Sequence, residues 1–480
     1  MVSVCFYLHV HQPIRIKKFS IFDIGSGKGY FDEEKNKFYL DRIARKSYIP
    51  TNKILLELIK KYDFKVSFSI TGVLLEQLEK YAPEVLKSFQ DLVDTGNVEL
   101  VSETYYHSLA WVFSKDEFRR QVKLQEKKLK ELFGQKPKIF RNTELIYNDD
   151  MGKVVSDMGY KAVMTEGTEK ILEWRSPCYV YEASGSNIKL LLKHYRLSDD
   201  IAFRFSTPYW NEYPLTADKY ASWINATPGN VINIFMDYET FGEHQWKETG
   251  IFEFLKHLPR EILKNPNNEF VLPSEVIKKF KPVATISVPF LISWADTERD
   301  LSAWIGNEMQ RTAARELYSL ENDVLKTKDK SIISDWRKLQ TADHFYYMCT
   351  KWFADGDIHK YFNPYESPYE AFISFMNILN DLKNRIRGDS MSKYLENVPD
   401  DKVFWCRDGQ IFKNLKELLF GLEKMSDETF KFHVSKEKND FANWIRDVIG
   451  DEKLAKDIMK SRTKKSLMKK LSNRIKKLEK

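Results

Sequence analysis

A repeated alternation of short apolar runs with helix-like runs over residues 1–285 is the feature that most constrains the fold. The apolar runs, which have the composition of strands, lie at residues 2–10, 65–71, 97–101, 137–141, 162–165 and 231–236. They are apolar nearly throughout, as expected of parallel strands that are covered on both faces. Alternating strands and helices over this length predict a parallel sheet that closes, or nearly closes, into a barrel.

The pattern changes near residue 285, between Pro282 and Pro289. Beyond this point strand-like runs almost vanish, and helical periodicity dominates residues 301–326, 331–350, 369–387, 415–424 and 430–449. We therefore predict an α/β barrel domain over residues 1–285 and a helical domain over residues 286–480.

The positive charge of the chain is concentrated at its C-terminal end. The formal net charge is +7, but residues 456–480 alone contain eleven Lys or Arg and two acidic residues, so the rest of the chain is close to neutral. Leu467, Leu471, Ile475 and Leu478 recur at helical spacing among these lysines, which predicts an amphipathic helix. We interpret this tail as a terminal helix docked on the helical domain, in preference to a membrane or nucleic-acid element.

The cysteines and the N-terminal residues indicate a compartment. Cys5, Cys178, Cys349 and Cys406 are widely spaced and form no CxxC pair. The chain begins with an apolar strand-like run that has no basic segment before it, and no run approaches the roughly 20 apolar residues that span a bilayer. We expect a cytoplasmic protein with reduced thiols, no membrane span and no nucleic-acid partner.

Polar residues stand at the ends of several predicted strands, where a β/α barrel carries its active site. His9 and His11 share one face of the first strand, because side chains alternate along a strand, and Gln12 follows them. These histidines are suited to hydrogen bonding with sugar hydroxyls or to metal ligation, or they pack in the core. Glu99 interrupts another apolar strand, which costs several kcal/mol of desolvation unless the carboxylate is paired or used.

Two further strand ends carry carboxylates. Glu144 follows the strand at residues 137–141, and the neighbouring Arg141 would keep it ionised, as a nucleophile needs; a surface salt bridge is the alternative. Asp237, Glu239 and Glu243 follow the apolar run at residues 231–236, and such close like charges must raise at least one pKa. A raised pKa is what a general acid requires near neutral pH. Two acids at the ends of different strands favour glycoside hydrolysis.

At this point the chain resembles glycoside hydrolase family 57, which contains α-amylases, glucanotransferases and branching enzymes. Five segments match the regions of that family in the right order: residues 11–13, residues 96–99, the stretch around Glu144, residues 236–242, and residues 293–304. The segment at residues 237–244, which ends in His244, looks most like the amylase-type branch. Many members have Trp three residues before the nucleophile, whereas this chain has Arg141.

The resemblance implies a distorted (β/α)7 barrel followed by an all-helical C-terminal domain that contributes to the active site. It also implies a retaining α-amylase that cleaves α-1,4-glucosidic bonds without a metal or other cofactor. Glu144 would be the nucleophile and Asp237 the general acid/base. The glucan would contact a set of residues from both domains: His9, His11, Gln12, Glu99, Glu239, His244, Trp294, Asp296 and Trp304.

Three alternatives stay open on the sequence. A 4-α-glucanotransferase or branching enzyme would use the same catalytic pair. A metal-dependent enzyme, such as a polysaccharide deacetylase or a zinc α-mannosidase, would take ligands from His9 and His11 with Asp237 or Glu99. The chain lacks the H-x-x-x-H spacing expected of such deacetylases. A catalytically silent glucan-binding protein is the third alternative, and the presence of both carboxylates counts against it.

Overall fold

A computed structural model describes residues 2–351, 364–387 and 393–478. The chain forms two compact units. The first unit comprises Met1–Phe19, Tyr30–Glu321 and Ile333–Met376, and the second comprises Ser20–Gly29, Asn322–Ile332 and Asn377–Lys480.

The strands are short and, in the first unit, mostly buried. They are β1 (Ser3–Val10), β2 (Val66–Ile70), β3 (Val98–Leu100), β4 (Ile139–Arg141), β5 (Ala162–Glu166), β6 (Tyr181–Ala183), β7 (Lys189–Lys193), β8 (Val231–Asp237), β9 (Glu269–Phe270), β10 (Thr285–Ile286), β11 (Phe404–Trp405) and β12 (Ile411–Phe412).

Helices fill most of the intervening sequence. They are α1 (Glu33–Ile43), α2 (Ile49–Tyr62), α3 (Gly72–Tyr81), α4 (Pro83–Val93), α5 (Ala110–Phe113), α6 (Lys115–Phe133), α7 (Asp149–Asp157), α8 (Glu169–Leu172), α9 (Tyr195–Asp199), α10 (Ala217–Ala226), α11 (Ile251–Leu263), α12 (Pro273–Lys279), α13 (Ser302–Ile305), α14 (Glu308–Ser319), α15 (Glu321–Thr327), α16 (Lys330–Lys338), α17 (Ala342–Tyr346), α18 (Pro368–Arg387), α19 (Leu415–Lys424), α20 (Asp427–His433), α21 (Asp440–Trp444), α22 (Glu452–Met459) and α23 (Lys464–Leu478).

Seven strands of the first unit form a closed but distorted ring. One sheet has the order β3-β2-β1-β8, with β9 also pairing with β1, and the other has the order β10-β6-β7-β5-β4. The two sheets meet at two narrow seams. At one seam Ser102, just after β3, bridges to Phe140 of β4, and at the other the N–H of His194, just after β7, donates to the carbonyl of Asn233 in β8 at 2.8 Å. The ring order is therefore β1-β2-β3-β4-β5-β7-β8.

Side-chain alternation along the strands decides which residues enter the barrel. In β1, Cys5 and Tyr7 belong to the inner apolar cluster, while Phe6 and Leu8 pack outward against the helices. Because side chains alternate, His9 points inward at the carboxyl end of β1. The register pairs His9 with Asp237 of β8, and this pairing puts a histidine and a carboxylate side by side at the mouth of the barrel.

The described residues of the second unit form helices and one β-ribbon, joined by loops. The strands β11 and β12 pair antiparallel, with Trp405 opposite Ile411. The predicted amphipathic tail is confirmed as α23, whose Leu467, Leu471, Ile475 and Leu478 are buried in the core of this unit. The ribbon is a small departure from the all-helical prediction for this region.

The predicted barrel and the helical character of the later sequence are confirmed. Predicted strands agree with β1, β2, β3, β4, β5 and β8 to within two residues at either end. The ring strand β7 was missed, because it is only five residues long and lysine stands at both of its ends. The division at residue 285 stays a prediction. The first compact unit extends past this residue and includes α13, α14 and α17. Each helix within the described residues is either too short or too polar to cross a membrane.

Candidate active site

A cleft at the carboxyl ends of the barrel strands collects nearly all the predicted site residues. Its lining includes His9, His11, Gln12, Glu144, Asp237, Glu239, His244, Trp294, Asp296 and Trp304. It also includes residues for which the sequence analysis gave no role: His107, Lys193, Asp199, Asp343, Tyr346 and Tyr347. All of these residues belong to the first unit.

Glu144 is held in an unusual backbone conformation directly after β4. The chain turns through a short 3-10 segment, Thr143–Leu145, in which Glu144 has φ 55° and ψ 27°, the left-handed region. Two donors fix its carboxylate: Nε2 of His107 lies 2.8 Å from Oε1, and Nε1 of Trp294 lies 2.6 Å from Oε2. The N–H of Trp294 also donates to the carbonyl of Glu144 at 3.1 Å. The side chain is therefore oriented from both ends.

Two buried cations, His107 and Arg141, lie close to Glu144 and are linked to each other through Glu103. Glu103 accepts hydrogen bonds from Nδ1 of His107 at 3.2 Å and from Nη1 of Arg141 at 3.1 Å. Burial would lower the pKa of His107, but its contacts with Glu103 and Glu144 outweigh this and raise it to about 9. The imidazole is therefore charged near neutral pH and donates from both nitrogens.

These surroundings keep Glu144 ionised. Burial by itself would raise its pKa, but the hydrogen bond and charge of His107, the charge of Arg141 and the hydrogen bond from Trp294 lower it to about 2. A half-buried carboxylate that stays charged at neutral pH is what a nucleophile requires.

Asp237, at the end of β8, has the opposite surroundings. Burial, followed by repulsion from the charge of Glu144, raises its pKa to about 7, against the lowering effect of Arg141 and His107. Two residues on, Glu239 accepts a hydrogen bond from the hydroxyl of Tyr48. Burial and the charge of Asp237 raise the pKa of Glu239 to about 8. This strand end therefore holds protons at neutral pH, which suits a general acid.

Three histidines stack along one side of the cleft. The ring of His11 lies 4.1 Å from that of His107, and the ring of His9 lies 4.9 Å from that of His107. Nδ1 of His9 contacts the hydroxyl of Ser69 at 2.8 Å, while its buried Nε2 has no hydrogen-bond partner among the described protein atoms. Burial, followed by the charge of Arg141, lowers the pKa of His9, so this ring stays neutral and has a nitrogen available for a ligand.

Trp294 is held in place by a buried charge network. Nζ of Lys193 and Cζ of Arg141 each lie 5.3 Å from the centre of its ring. Nζ of Lys193 also lies 2.9 Å from Asp199, and the guanidinium of Arg299 lies 3.2 Å from Asp199 and donates to the carbonyl of Trp294. Each cation therefore has an anionic partner, and the indole that donates to Glu144 is fixed by its backbone and by its ring.

Glu99 is the predicted site residue that the structure does not bring to the cleft. Its carboxylate accepts a hydrogen bond from the N–H of Ser274, in the first turn of α12, at 2.8 Å. The charge of Glu99 lies close enough to Cys5 to raise the pKa of that buried thiol, and Glu99 is not part of the cleft lining. The physical reason is that the carboxylate of Glu99 caps the N-terminus of α12, and this contact explains why a Glu interrupts the apolar strand. The neighbouring Glu103 takes part in the site instead.

The residues without a predicted role share a weak sequence signal. Glu103 and His107 stand four residues apart just after β3, so two ionisable residues at a strand end could have indicated them. Lys193 ends β7, which was missed, and Asp343 lies about 100 residues after Asp237 in a helical stretch. Nothing local distinguishes Asp343 from a surface acid.

Two groups of side chains have the types and spacing of metal ligands. One is His9, Glu103 and His107, and the other is His11, His107 and Asp343. His107 belongs to both groups, and it contacts carboxylates through both of its nitrogens. A protonated imidazole offers no lone pair to a metal, so the arrangement fits a cationic donor better than a ligand.

Comparisons with known proteins agree on one family. The family model described as Glycosyl hydrolase family 57 matches residues 5–289. A Methanocaldococcus jannaschii protein with a provisional alpha-amylase name is 49% identical over 397 residues, which are 80% of this chain and 85% of that protein. An alpha-amylase of Pyrococcus horikoshii is 25% identical over 63% of this chain but only 44% of that enzyme. The crystal structure of a family 57-type branching enzyme from Pyrococcus horikoshii matches with a TM-score of 0.59 at 16% identity, over 82% of this chain and 91% of that one, a likeness of fold.

Proposed function

The chain belongs to glycoside hydrolase family 57, and on this premise we propose that it is a retaining α-amylase-type enzyme that cleaves α-1,4-glucosidic bonds. The observation that carries the proposal is the contrast between two carboxylates that line one cleft. Glu144 has a pKa of about 2 and Asp237 a pKa of about 7, so at neutral pH Glu144 is charged while roughly half of the Asp237 side chains keep their proton. A glycosidase needs such a pair.

In the first step the carboxylate of Glu144 attacks the anomeric carbon of a bound glucosyl unit. The glycosidic C–O bond breaks, and Asp237 gives its proton to the departing oxygen. The hydrogen bonds of His107 and Trp294 hold the attacking carboxylate in one orientation.

In the second step the ionised Asp237 takes a proton from water, and the water oxygen attacks the anomeric carbon. The bond to Glu144 breaks, and the sugar leaves with its original anomeric configuration. Once Glu144 is esterified, its negative charge no longer repels Asp237. The pKa of Asp237 then falls toward its ordinary range, and this change favours its role as a base.

Other side chains of the cleft are assigned to sugar positioning in this proposal. Nε2 of His9 is buried in the lining without a hydrogen-bond partner in the described part of the chain, and a glucose hydroxyl would satisfy it. Trp304 is an aromatic residue in the lining, and flat apolar rings of this kind pack against the C–H faces of pyranoses. Asp296 and His244 supply polar groups on the same wall.

Product analysis tests the hydrolytic activity. Purified enzyme is incubated with maltoheptaose, and products are followed by chromatography and by reducing-end assay, with E144Q as the inactive control. Shorter maltooligosaccharides with a matching gain of reducing ends are expected. Oligomers longer than the substrate without new reducing ends would instead identify a 4-α-glucanotransferase, and new α-1,6 linkages would identify a branching enzyme.

The stereochemistry is tested separately. Proton NMR of the first product from maltoheptaose should show the α-anomer before mutarotation. Appearance of the β-anomer first would overturn the two-step mechanism, although hydrolysis itself would stand.

A metal-dependent reaction is the rival of another class, because the two histidine groups resemble metal sites. We propose that no metal is required, since the cation needed beside Glu144 is supplied by His107 and Arg141. Dialysis against a chelator should leave the hydrolysis rate unchanged. A loss that Zn²⁺ restores would favour the rival.

We also propose that the protein works in the cytoplasm on a starch-like or glycogen-like glucan. Cys5, Cys178, Cys349 and Cys406 are all unpaired thiols in the structure, as expected in a reducing compartment. Fractionation of native cells should recover the activity with cytoplasmic markers.

A further inference from the structure

A second cavity lies on the surface of the first unit, on the other side of the loop that follows β8. It has a volume of about 820 Å³, within the range of small-molecule sites. Its lining includes Pro50, Lys53 and Glu57 from the α2 side and Trp246, Lys247 and Phe252 from the other side. We refer to this cavity as the Trp246 groove.

Alternate parts of the loop face the two cavities. Glu239, Thr240 and His244 line the catalytic cleft, whereas Gly242, Trp246 and Lys247 line the Trp246 groove. The loop is packed tightly against the π-helical segment Ala44–Tyr48, because a Cβ atom on Gly242 would lie 2.0 Å from the carbonyl oxygen of Lys46. A ligand in the groove would therefore contact the same loop that carries Glu239.

Trp246 is the unusual feature of this surface. Slightly more than half of it, 53%, is exposed, although indoles are normally well buried. Nζ of Lys46 lies 5.6 Å from the centre of its ring, and the buried Phe252 also lines the groove. The groove thus offers an exposed flat apolar ring with polar groups around it.

The charges of the groove have mixed sign. Arg45, Lys46, Lys53, Lys247 and Lys256 line it, but so do Glu57, Glu248 and Glu253. Two of the cations are already engaged, since Lys256 lies 2.7 Å from Glu253 and Lys46 lies 3.7 Å from Glu243. A polyanion would meet three carboxylates there, whereas a neutral polyol can use both donors and acceptors.

We propose that the Trp246 groove is an accessory binding site for an α-glucan chain, with the indole of Trp246 as the stacking platform. The proposal rests on the proposed function for the choice of ligand. The site holds a part of the polymer away from the cleavage point, so it increases the affinity for long glucans and leaves short oligosaccharides unaffected.

The test compares W246A with W174A, a control in which another exposed tryptophan is removed; Trp174 is 85% exposed and does not line the Trp246 groove or the catalytic cleft. KM is measured for glycogen and for maltotriose. W246A should raise the KM for glycogen about fivefold to tenfold and leave kcat and the KM for maltotriose unchanged. W246F, which keeps an aromatic face, should lie close to wild type. W174A should match wild type with both substrates.

Affinity electrophoresis in gels containing glycogen gives a readout that does not depend on turnover. Retardation of E144Q should be strong, and retardation of the double variant E144Q/W246A should be clearly weaker. An equal KM for glycogen in W246A and wild type, an equal change for maltotriose, or retardation by dextran sulfate in place of glycogen would each overturn the accessory site. Retardation by glycogen without any hydrolysis by the wild type would overturn the proposed function and leave the groove intact.

Discussion

The ends of β4 and β8 face the same cleft, but their surroundings shift the pKa of a carboxylate in opposite directions. After β4, Glu144 meets a protonated His107, the guanidinium of Arg141 and an indole donor, and its pKa is about 2. After β8, Asp237 lies at the end of an apolar strand beside another acid, and its pKa is about 7. Burial raises the pKa of both acids, and at Asp237 it is the largest cause. At Glu144 the hydrogen bonds from His107 and Trp294 and the charges of His107 and Arg141 reverse the effect of burial, so Glu144 is the acid that loses its proton first.

The largest expected effect comes from removing the charged member of the pair. E144Q should lower kcat by at least about 10⁴-fold, because the nucleophile is lost, while its melting temperature stays near that of wild type. Initial rates on maltoheptaose and a thermal melt check both parts. E99Q is the matched control, and it should keep kcat within about twofold, because Glu99 lies outside the cleft. Substantial activity in E144Q would remove the nucleophile assignment.

Replacing the protonated member should give a smaller loss that depends on the substrate. D237N should lower kcat on maltoheptaose by about 10²- to 10⁴-fold, because the departing oxygen receives no proton. With an aryl maltoside whose phenolate leaves without protonation, the first step should recover as a rapid burst of phenol. The burst is measured by stopped flow. Its absence with an intact fold would argue that Asp237 serves another purpose.

The same substitution should change how stability depends on pH. The pKa of Asp237 is about 7 in the folded protein, against an ordinary 3.8, so the folded state binds this proton more tightly. The binding of this proton therefore stabilises the folded state fully below about pH 4, and the stabilisation is lost as pH rises through about 7. D237N has no proton to lose, so its melting temperature should fall less than that of wild type between pH 5 and pH 8, by about 2–4 °C.

E131Q supplies the control for this pH experiment, since it makes an acid-to-amide change at an exposed position of α6. Its melting temperature should follow the wild-type pH dependence. Parallel curves for D237N and wild type would contradict the raised pKa of Asp237.

The smallest expected effect is a shift of the acidic limb of activity. H107Q removes a positive charge beside Glu144, so the pKa of Glu144 should rise from about 2. The acidic limb of kcat/KM, recorded from pH 3 to pH 8, should move up by about one unit. H344Q changes another buried histidine that lies outside the cleft lining and should leave the limb in place. Identical limbs in H107Q and wild type would contradict the role of His107 in lowering the pKa of Glu144.

Most of the barrel could be predicted from sequence because its strands are buried on both faces. Val231–Asp237 is apolar except for Asn233 and its last residue, and this pattern can be recognised without knowing which strands pair with it. Lys189–Lys193 could not be recognised in the same way. Its terminal lysine is buried only because Asp199 and Glu166 lie beside it, and those partners come from other segments.

The residues of the candidate site also fall into those that local sequence indicates and those that depend on distant partners. His9, Glu144 and Asp237 follow apolar strands, so local pattern indicates them. The pairing of His107 with Glu144 joins two segments 37 positions apart, and the contact of His11 with Asp343 joins residues 332 positions apart. The misassignment of Glu99 has the same origin, because its partner Ser274 lies 175 positions away.

The left-handed backbone at His107, Glu144, Leu145, Asp296 and Arg299 has a consequence for how this chain responds to selection. Residues other than glycine cost roughly 1–3 kcal/mol each in that conformation. The backbone around the cleft is therefore strained. Glycine or asparagine at positions 107 or 144 would relax the chain and erase the donor or the carboxylate. Substitutions at positions 107 and 144 that increase thermal stability are therefore expected to abolish turnover. A screen for survival at high temperature alone is expected to return inactive proteins first.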